Sequence, residues 1–328
     1  MNGRVRIVLG TAIGLFFAWL TLRDVVWQDL LAAFERLQAS QIMLALLCIS
    51  AAYAVRVYRW TVMLRVFSPG VRYGQAAGPF LASFAINNLV PLRAGDIART
   101  FAFERRLEVA PSRVAATLIM ERLWDLLALL VFLALGLGAL EVIEPVLRDM
   151  AVAAVSGCAL ALLIVLFSPR YIYQILVWLH RDLRLGRIGL VARVLKFGRS
   201  LMISLRQLSG PGVSATMAGL SLLSWLLEGG VFFVLAVREL ANPLGAWFAL
   251  ATSTLMTMVP GTPGHVGTFD FGAKLGYVAL GMTPEAATVA AIVVHAMIWL
   301  PVTAAGGLWL MAQGRRRKLV ATLPDISS

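Results

Sequence analysis

The sequence predicts an all-α polytopic membrane protein, with about six full spanning helices plus two broken or re-entrant helical hairpins in one integral membrane domain, residues 1–328. Three observations predict it. Hydrophobic residues make up 60% of the chain and charged residues 14%, where soluble domains run at about 45–50% and about 25%; mean hydropathy is +0.83. Apolar runs of membrane-spanning length recur from one end to the other. Basic residues collect in the stretches between them, as expected of loops that set membrane orientation.

A helix rising 1.5 Å per residue needs about 20 apolar residues to cross about 30 Å of hydrocarbon. Runs of that kind cover 5–22, 42–66, 114–140, 150–167, 213–237 and 285–312. The first reaches spanning length without a small-residue cleavage site, so it reads as a helix and not as a cleavable signal peptide. Two further runs, 73–90 and 243–281, are broken by NNLVPLRAGD at 87–96 and VPGTPGHVG at 259–267. Irregular backbone survives at membrane depth only where protein or a wet cavity surrounds it, so these two read as re-entrant or discontinuous helices.

Loop charges orient the chain. Between 168 and 210 stand Arg170, Arg181, Arg184, Arg187, Arg193, Lys196, Arg199 and Arg206 against the single acid Asp182, and the tail carries Arg315, Arg316, Arg317 and Lys318. Both stretches are expected on the cytoplasmic side of the cell (inner) membrane, which puts both termini there. The acidic loop 141–149 then faces outward, the first hairpin enters from the cytoplasm and the second from outside. Segment 168–210 also interleaves leucine, isoleucine and valine with its cations. It is either a set of amphipathic helices on the anionic inner leaflet or a solvated loop that only sets topology.

The net charge of +12 and a pI of 10.8 do not indicate nucleic acid, because the cations alternate with apolar runs and form no basic face on a polar domain. Cys48 and Cys158 lie inside apolar runs, and His180, His265 and His295 are scattered. No disulfide framework, zinc site or other metal or cofactor is expected.

The halves 42–140 and 213–312 read as an inverted repeat. Setting Pro91 on Pro263 also sets Gly95 on Gly267; PSRVAAT after Pro111 then parallels PEAATVAA after Pro284, and Arg122 meets His295, each 11 residues past its proline. Inverted repeats with broken helices meeting near the midplane are the architecture of secondary transporters.

A charge at mid-bilayer costs at least about 2.5–3.5 kcal/mol, so each one needs a reason. The first cluster is Asn87, Asn88, Pro91, Arg93, Gly95, Asp96 and Arg99. Guanidinium forks and freed amides suit a phosphate or another anionic head group; alternatively Arg93 and Arg99 pair with Asp96 at the interface. The second is Glu121, Arg122 and Asp125 on one spanning helix, either a structural network or a relay. Arg56 and Arg59 follow the same logic or reach for head groups from a helix end. The third is Pro260, Gly261, Pro263, Gly264, His265, Gly267 and Asp270, whose glycines permit close backbone approach. Glu228 and Lys274 are further charges in apolar surroundings. No nucleophile elbow, Walker loop, dinucleotide fingerprint or HExxH is present.

At these residues the sequence resembles the flippase-like family typified by the membrane region of lysylphosphatidylglycerol synthase, the multiple peptide resistance factor. RVYRW at 56–60, NNLVPLRAGDIAR at 87–99, ERLWD at 121–125 and PGTPGHVGTFD at 260–270 carry the resemblance over nearly the whole chain. It implies a polytopic inner-membrane protein that moves a lipid between leaflets or serves a pathway of lipid-linked intermediates. The family usually has Glu where Asp96 and Asp270 stand, which preserves the charge. The full synthase adds a soluble aminoacyl-transfer domain that this sequence lacks, so the expectation is lipid translocation without lysine transfer, and no enzyme. The expected partner is a membrane lipid, with lipid-modifying enzymes and a homo-oligomer as further options. In the leading reading Asn88, Arg93 and Arg99 hold the head group while Glu121, Arg122, Asp125 and Asp270 complete the cavity. The alternatives are a non-transporting partner of lipid-modifying or lipid-linked glycan enzymes and an integral membrane lipid transferase acting through His265 or Asp96.

Overall fold

A computed structural model of the chain describes residues 3–23, 26–90, 93–140, 144–167, 189–236, 238–259 and 262–322. Pro91, Pro260, Gly261 and the stretch 168–188 of the basic segment lie outside the described residues. The described residues are helical, and no strand occurs among them.

Every expected span forms a helix: α1 (Gly3–Leu22), α3 (Ala39–Arg65), α7 (Pro111–Gly138), α8 (Pro145–Phe167), α10 (Pro211–Ala236) and α13 (Pro284–Thr322). Four of these start at a proline, whose fixed φ and missing N–H suit a first helical position. Between α1 and α3 lies a short helix, α2 (Trp27–Glu35), that the apolar pattern did not announce. The last helix also runs ten residues past its expected end at 312, because alanine, glutamine, arginine and lysine are good helix formers once the membrane no longer selects apolar residues. Among the described residues α3, α8, α10 and α13 contain stretches long and apolar enough to cross a membrane. The charges of α7 set it apart, and they prove to be paired within the protein.

Both broken segments are helical hairpins. The first comprises α4 (Tyr73–Leu89) and α5 (Ala94–Phe101), followed by the single turn α6 (Glu104–Leu107); the second comprises α11 (Leu244–Met256), a 3₁₀ turn at Pro263–His265 and α12 (Thr268–Ala279). The packing of these elements is reciprocal. α3 packs on α10; α4 of the first hairpin packs on α13 of the second half, and α11 of the second hairpin packs on α7 of the first; α5 leans on α7 as α12 leans on α13. That exchange of partners is what a two-fold relation between the halves requires. α1 stands outside it, against α12.

Large apolar side chains such as Met43, Leu47, Leu135, Leu160 and Leu308 are exposed, as expected of surfaces that face lipid. The remaining described part of the basic segment is α9 (Gly189–Leu208), which buries Ser204, Leu205 and Leu208, exposes Arg199 and Arg206, and joins α7 through a Ser112–Ser200 hydroxyl contact of 2.8 Å. Along 197–208 this helix therefore has one buried and one exposed face.

Candidate functional site

Each hairpin turns through a strained residue at the same place. Among the described residues the non-glycine positions with positive φ are Arg93, Glu108 and His265. The register that superposes Pro91 on Pro263 and Gly95 on Gly267 also superposes Arg93 (φ 52°) on His265 (φ 60°). A left-handed residue costs roughly 1–2 kcal/mol unless it is glycine, and such strain gathers at functional sites. The glycines two residues later allow backbone to meet backbone. A Cβ on Gly95 would stand 1.8 Å from the Ser83 carbonyl oxygen, and one on Gly267 would stand 2.1 Å from that of Gly14.

Six of the charges in the membrane pair off out of reach of solvent. Arg56 donates to Glu228 and lies over the rings of Tyr53 and Trp225. Arg59 donates to both oxygens of Asp125, at 2.6 and 3.2 Å, and to Ser221; Trp225 donates to Asp125 as well. Arg99 lies against the rings of Trp60 and Phe80 and donates to Glu121 at 3.1 Å. All six are buried. Each pair is neutral as a unit, and each ties together two elements distant in sequence.

A second set of charges is open. Arg122 reaches Asp96 at 3.4 Å, and although surrounded by protein it keeps 40% of its side-chain surface accessible. Asn87 donates to Asp96 at 3.0 Å and accepts the Gly95 amide at 2.8 Å, which holds the first turn together. Asn88 donates to Thr303 of α13 at 2.7 Å, anchoring the end of α4 to the other half. Arg93 is exposed, lies within Coulombic range of Arg122 and His265, and has no carboxylate at ion-pairing distance among the described residues. The two turns are neighbours, since α4 packs on Pro263–His265. Arg122 and His295 both stand about 16 Å along their helices from the starting proline, about half the thickness of the hydrocarbon.

In the second half, His295 of α13 bridges the turn. Its Nδ1 lies 2.9 Å from Asp270 Oδ1 and its Nε2 2.9 Å from the Gly264 carbonyl oxygen, while Asp270 Oδ2 accepts the Gly267 amide at 2.8 Å. The aspartate on the hairpin's second arm thus meets a cationic or titratable residue on the last helix of its own half, as Asp96 meets Arg122.

The Lysylphosphatidylglycerol synthase TM region family matches residues 7–306. The chain belongs to this family. A UPF0104 membrane protein of Methanocaldococcus jannaschii is similar over 189 residues, 57% of this chain and 76% of the relative, at 25% identity. The lysylphosphatidylglycerol synthase membrane-region fold described here therefore sorts the predicted site residues by environment. Arg93, Asp96, Arg122, Asn87 and Asn88 gather with His265, His295 and Asp270 around the two turns. Arg99, Glu121 and Asp125 do not join them: Arg99 is fully buried beneath aromatic rings, and both carboxylates pair with arginines. Arg56 and Arg59 are buried and pair with Glu228 and Asp125 inside the bundle. Glu228 is half of a pair. Sequence reasoning missed Ser221, Trp225 and Thr303 as partners. The first two carried a signal, since they stand seven and three residues before Glu228 on its helix face.

Proposed function

We propose that this protein translocates a lipid with an anionic or glycosylated head group between the leaflets of the cell membrane, the head group passing the two hairpin turns while its tails stay in the bilayer. The observation that carries the reading is the unmatched charge at the first turn. Arg93 and Arg122 lie within Coulombic range of each other and of Asp96, which pairs with Arg122. Near the middle of a bilayer such an excess is costly, and a phosphate that offers two oxygens to a guanidinium fork offsets it. Family membership supports a membrane role, and the orientation rule puts both termini in the cytoplasm, so the turn at Arg93 is met from the inner leaflet.

The test is reconstitution of the pure protein into phosphatidylcholine–phosphatidylglycerol vesicles carrying tail-labelled fluorescent phosphatidylglycerol, followed by quenching from outside. The quenched share should grow from the outer leaflet's portion toward the whole, faster for the anionic than for a zwitterionic label. Unchanged asymmetry with folded protein in the vesicles would instead favour a docking partner of lipid enzymes, and a new chemical species would favour a transferase.

A further inference from the structure

We propose that His295 and Asp270 form a binding site for one proton near the middle of the membrane, and that its occupancy is linked to the anion at Arg93 and Arg122; the linkage rests on the translocation reading above. The proton is counted from hydrogen-bond partners. A carbonyl oxygen only accepts, so His295 Nε2, 2.9 Å from that of Gly264, carries a hydrogen. Neutral histidine then has a bare Nδ1, and a bare nitrogen cannot bond a bare carboxylate. The 2.9 Å contact of Nδ1 with Asp270 Oδ1 requires a further proton, shared as imidazolium and carboxylate or as imidazole and carboxylic acid. Turning the ring over would put carbons at both contacts and lose both bonds. With side chains 13% and 12% exposed, the pair is enclosed without being sealed.

Comparison of the halves gives the proton a purpose. In the first half both equivalent positions hold permanent cations, Arg93 and Arg122; in the second they hold His265 and His295, the one residue type whose charge changes in the physiological range. Arg122 ties α7 to the first hairpin at any pH. His295 ties α13 to both sides of the second turn only while the proton is present, because its loss sets two acceptors against each other.

Other charged and titratable groups stand around the pair. His265 lies within Coulombic range of His295 and of Arg93. Lys274, one turn beyond Asp270, donates to the Thr21 carbonyl of α1 at 2.6 Å. On α10, Glu228 is matched by Arg56; α4 brings the uncharged Asn87 and Asn88. One added proton raises the charge around the two turns by one, which favours an anionic head group there, so proton and anion favour each other's binding.

Two measurements on the full chain test this. Infrared difference spectra of the detergent-solubilised protein over a pH series should show a one-proton carboxyl–imidazole step that disappears in Asp270→Asn and in His295→Arg. The arginine variant keeps a donor for Asp270, as Arg122 does for Asp96, and is expected to stay folded. In vesicles with an entrapped pH dye, the wild-type translocation rate should change several-fold when the pH gradient is reversed, with lumenal proton movement, and His295→Arg should lose both responses. No step in the wild type, or a step that persists in both variants, overturns the proton site. A step accompanied by lipid movement indifferent to the gradient overturns the linkage. A step with no lipid movement under any gradient leaves the proton site standing and refutes the translocation reading.

Discussion

Arg93 and Arg99 lie six residues apart in one hairpin, and their surroundings give them opposite tasks. Arg99 is fully buried, stacked on Trp60 and Phe80 and bonded to Glu121, so its charge is used in holding α5 to α7. Arg93 sits in a left-handed turn, exposed and with no carboxylate at ion-pairing distance among the described residues. Hydrogen bonds to charged groups contribute about 1.5–3 kcal/mol, or about 10- to 100-fold. Arg93→Ala should therefore slow translocation by about that factor with an unchanged melting temperature, and Arg93→Lys should recover it only in part, because an ammonium lacks the planar fork. Full activity of the lysine variant in the vesicle assay would sink forked recognition. At Gly95 the expectation is the reverse. A methyl group 1.8 Å from the Ser83 carbonyl oxygen and 2.8 Å from Asn87 Oδ1 forces the turn apart, so Gly95→Ala should lower thermal stability by at least the roughly 1–3 kcal/mol of an overpacked site, checked by fluorescence-detected unfolding.

At the scale of elements, three neutral ion pairs explain how α3, α5, α7 and α10 carry charges inside the membrane. Breaking such a pair leaves an uncompensated buried charge and costs about 3–5 kcal/mol, whereas replacing both partners with apolar residues is often nearly neutral. Glu121→Gln alone should therefore destabilise the protein strongly, while Arg99→Met combined with Glu121→Met should melt close to the wild type. Additive losses in the double variant would show that the two side chains do not interact. These elements also show what a sequence discloses. The spans and breaks were legible because apolar run length and Pro-Gly punctuation act locally. The pairing of Asp125 with Arg59 was not: the two lie 66 residues apart, and no spacing rule selects Arg59 over the nearer Arg93 or Arg99. The same holds for Asn88 and Thr303, 215 residues apart. The turn cluster was legible in composition but not in its pairing, because adjacency along α5 and α7 conceals which side chains pair inside the bundle.

At the scale of the whole molecule, the two halves fold into each other and not beside each other. The interfaces α3 with α10, α4 with α13, α7 with α11 and α1 with α12 each join a helix before residue 168 to one after residue 188. Separating the halves exposes the polar atoms those interfaces satisfy, including Glu228 without Arg56, Asn88 without Thr303, Arg59 without Ser221 and Asp125 without Trp225. In hydrocarbon no water replaces those partners, so each orphaned group carries its full desolvation cost. Within the first half Arg122–Asp96, Arg99–Glu121 and Arg59–Asp125 survive, whereas Arg56 becomes a lone cation on α3. The expectation is that a gene split within codons 168–188 yields two fragments that are degraded or aggregate when made alone and that co-purify as a melting-competent complex when made together. Arg56→Met in the first fragment should improve its survival alone, since it removes a buried charge that separation strands there, and should weaken the complex by stranding Glu228. If either unmodified fragment alone gave a monodisperse species with a cooperative melt, the halves would be independent domains, and the exchange of hairpin partners would not be what holds the turns together.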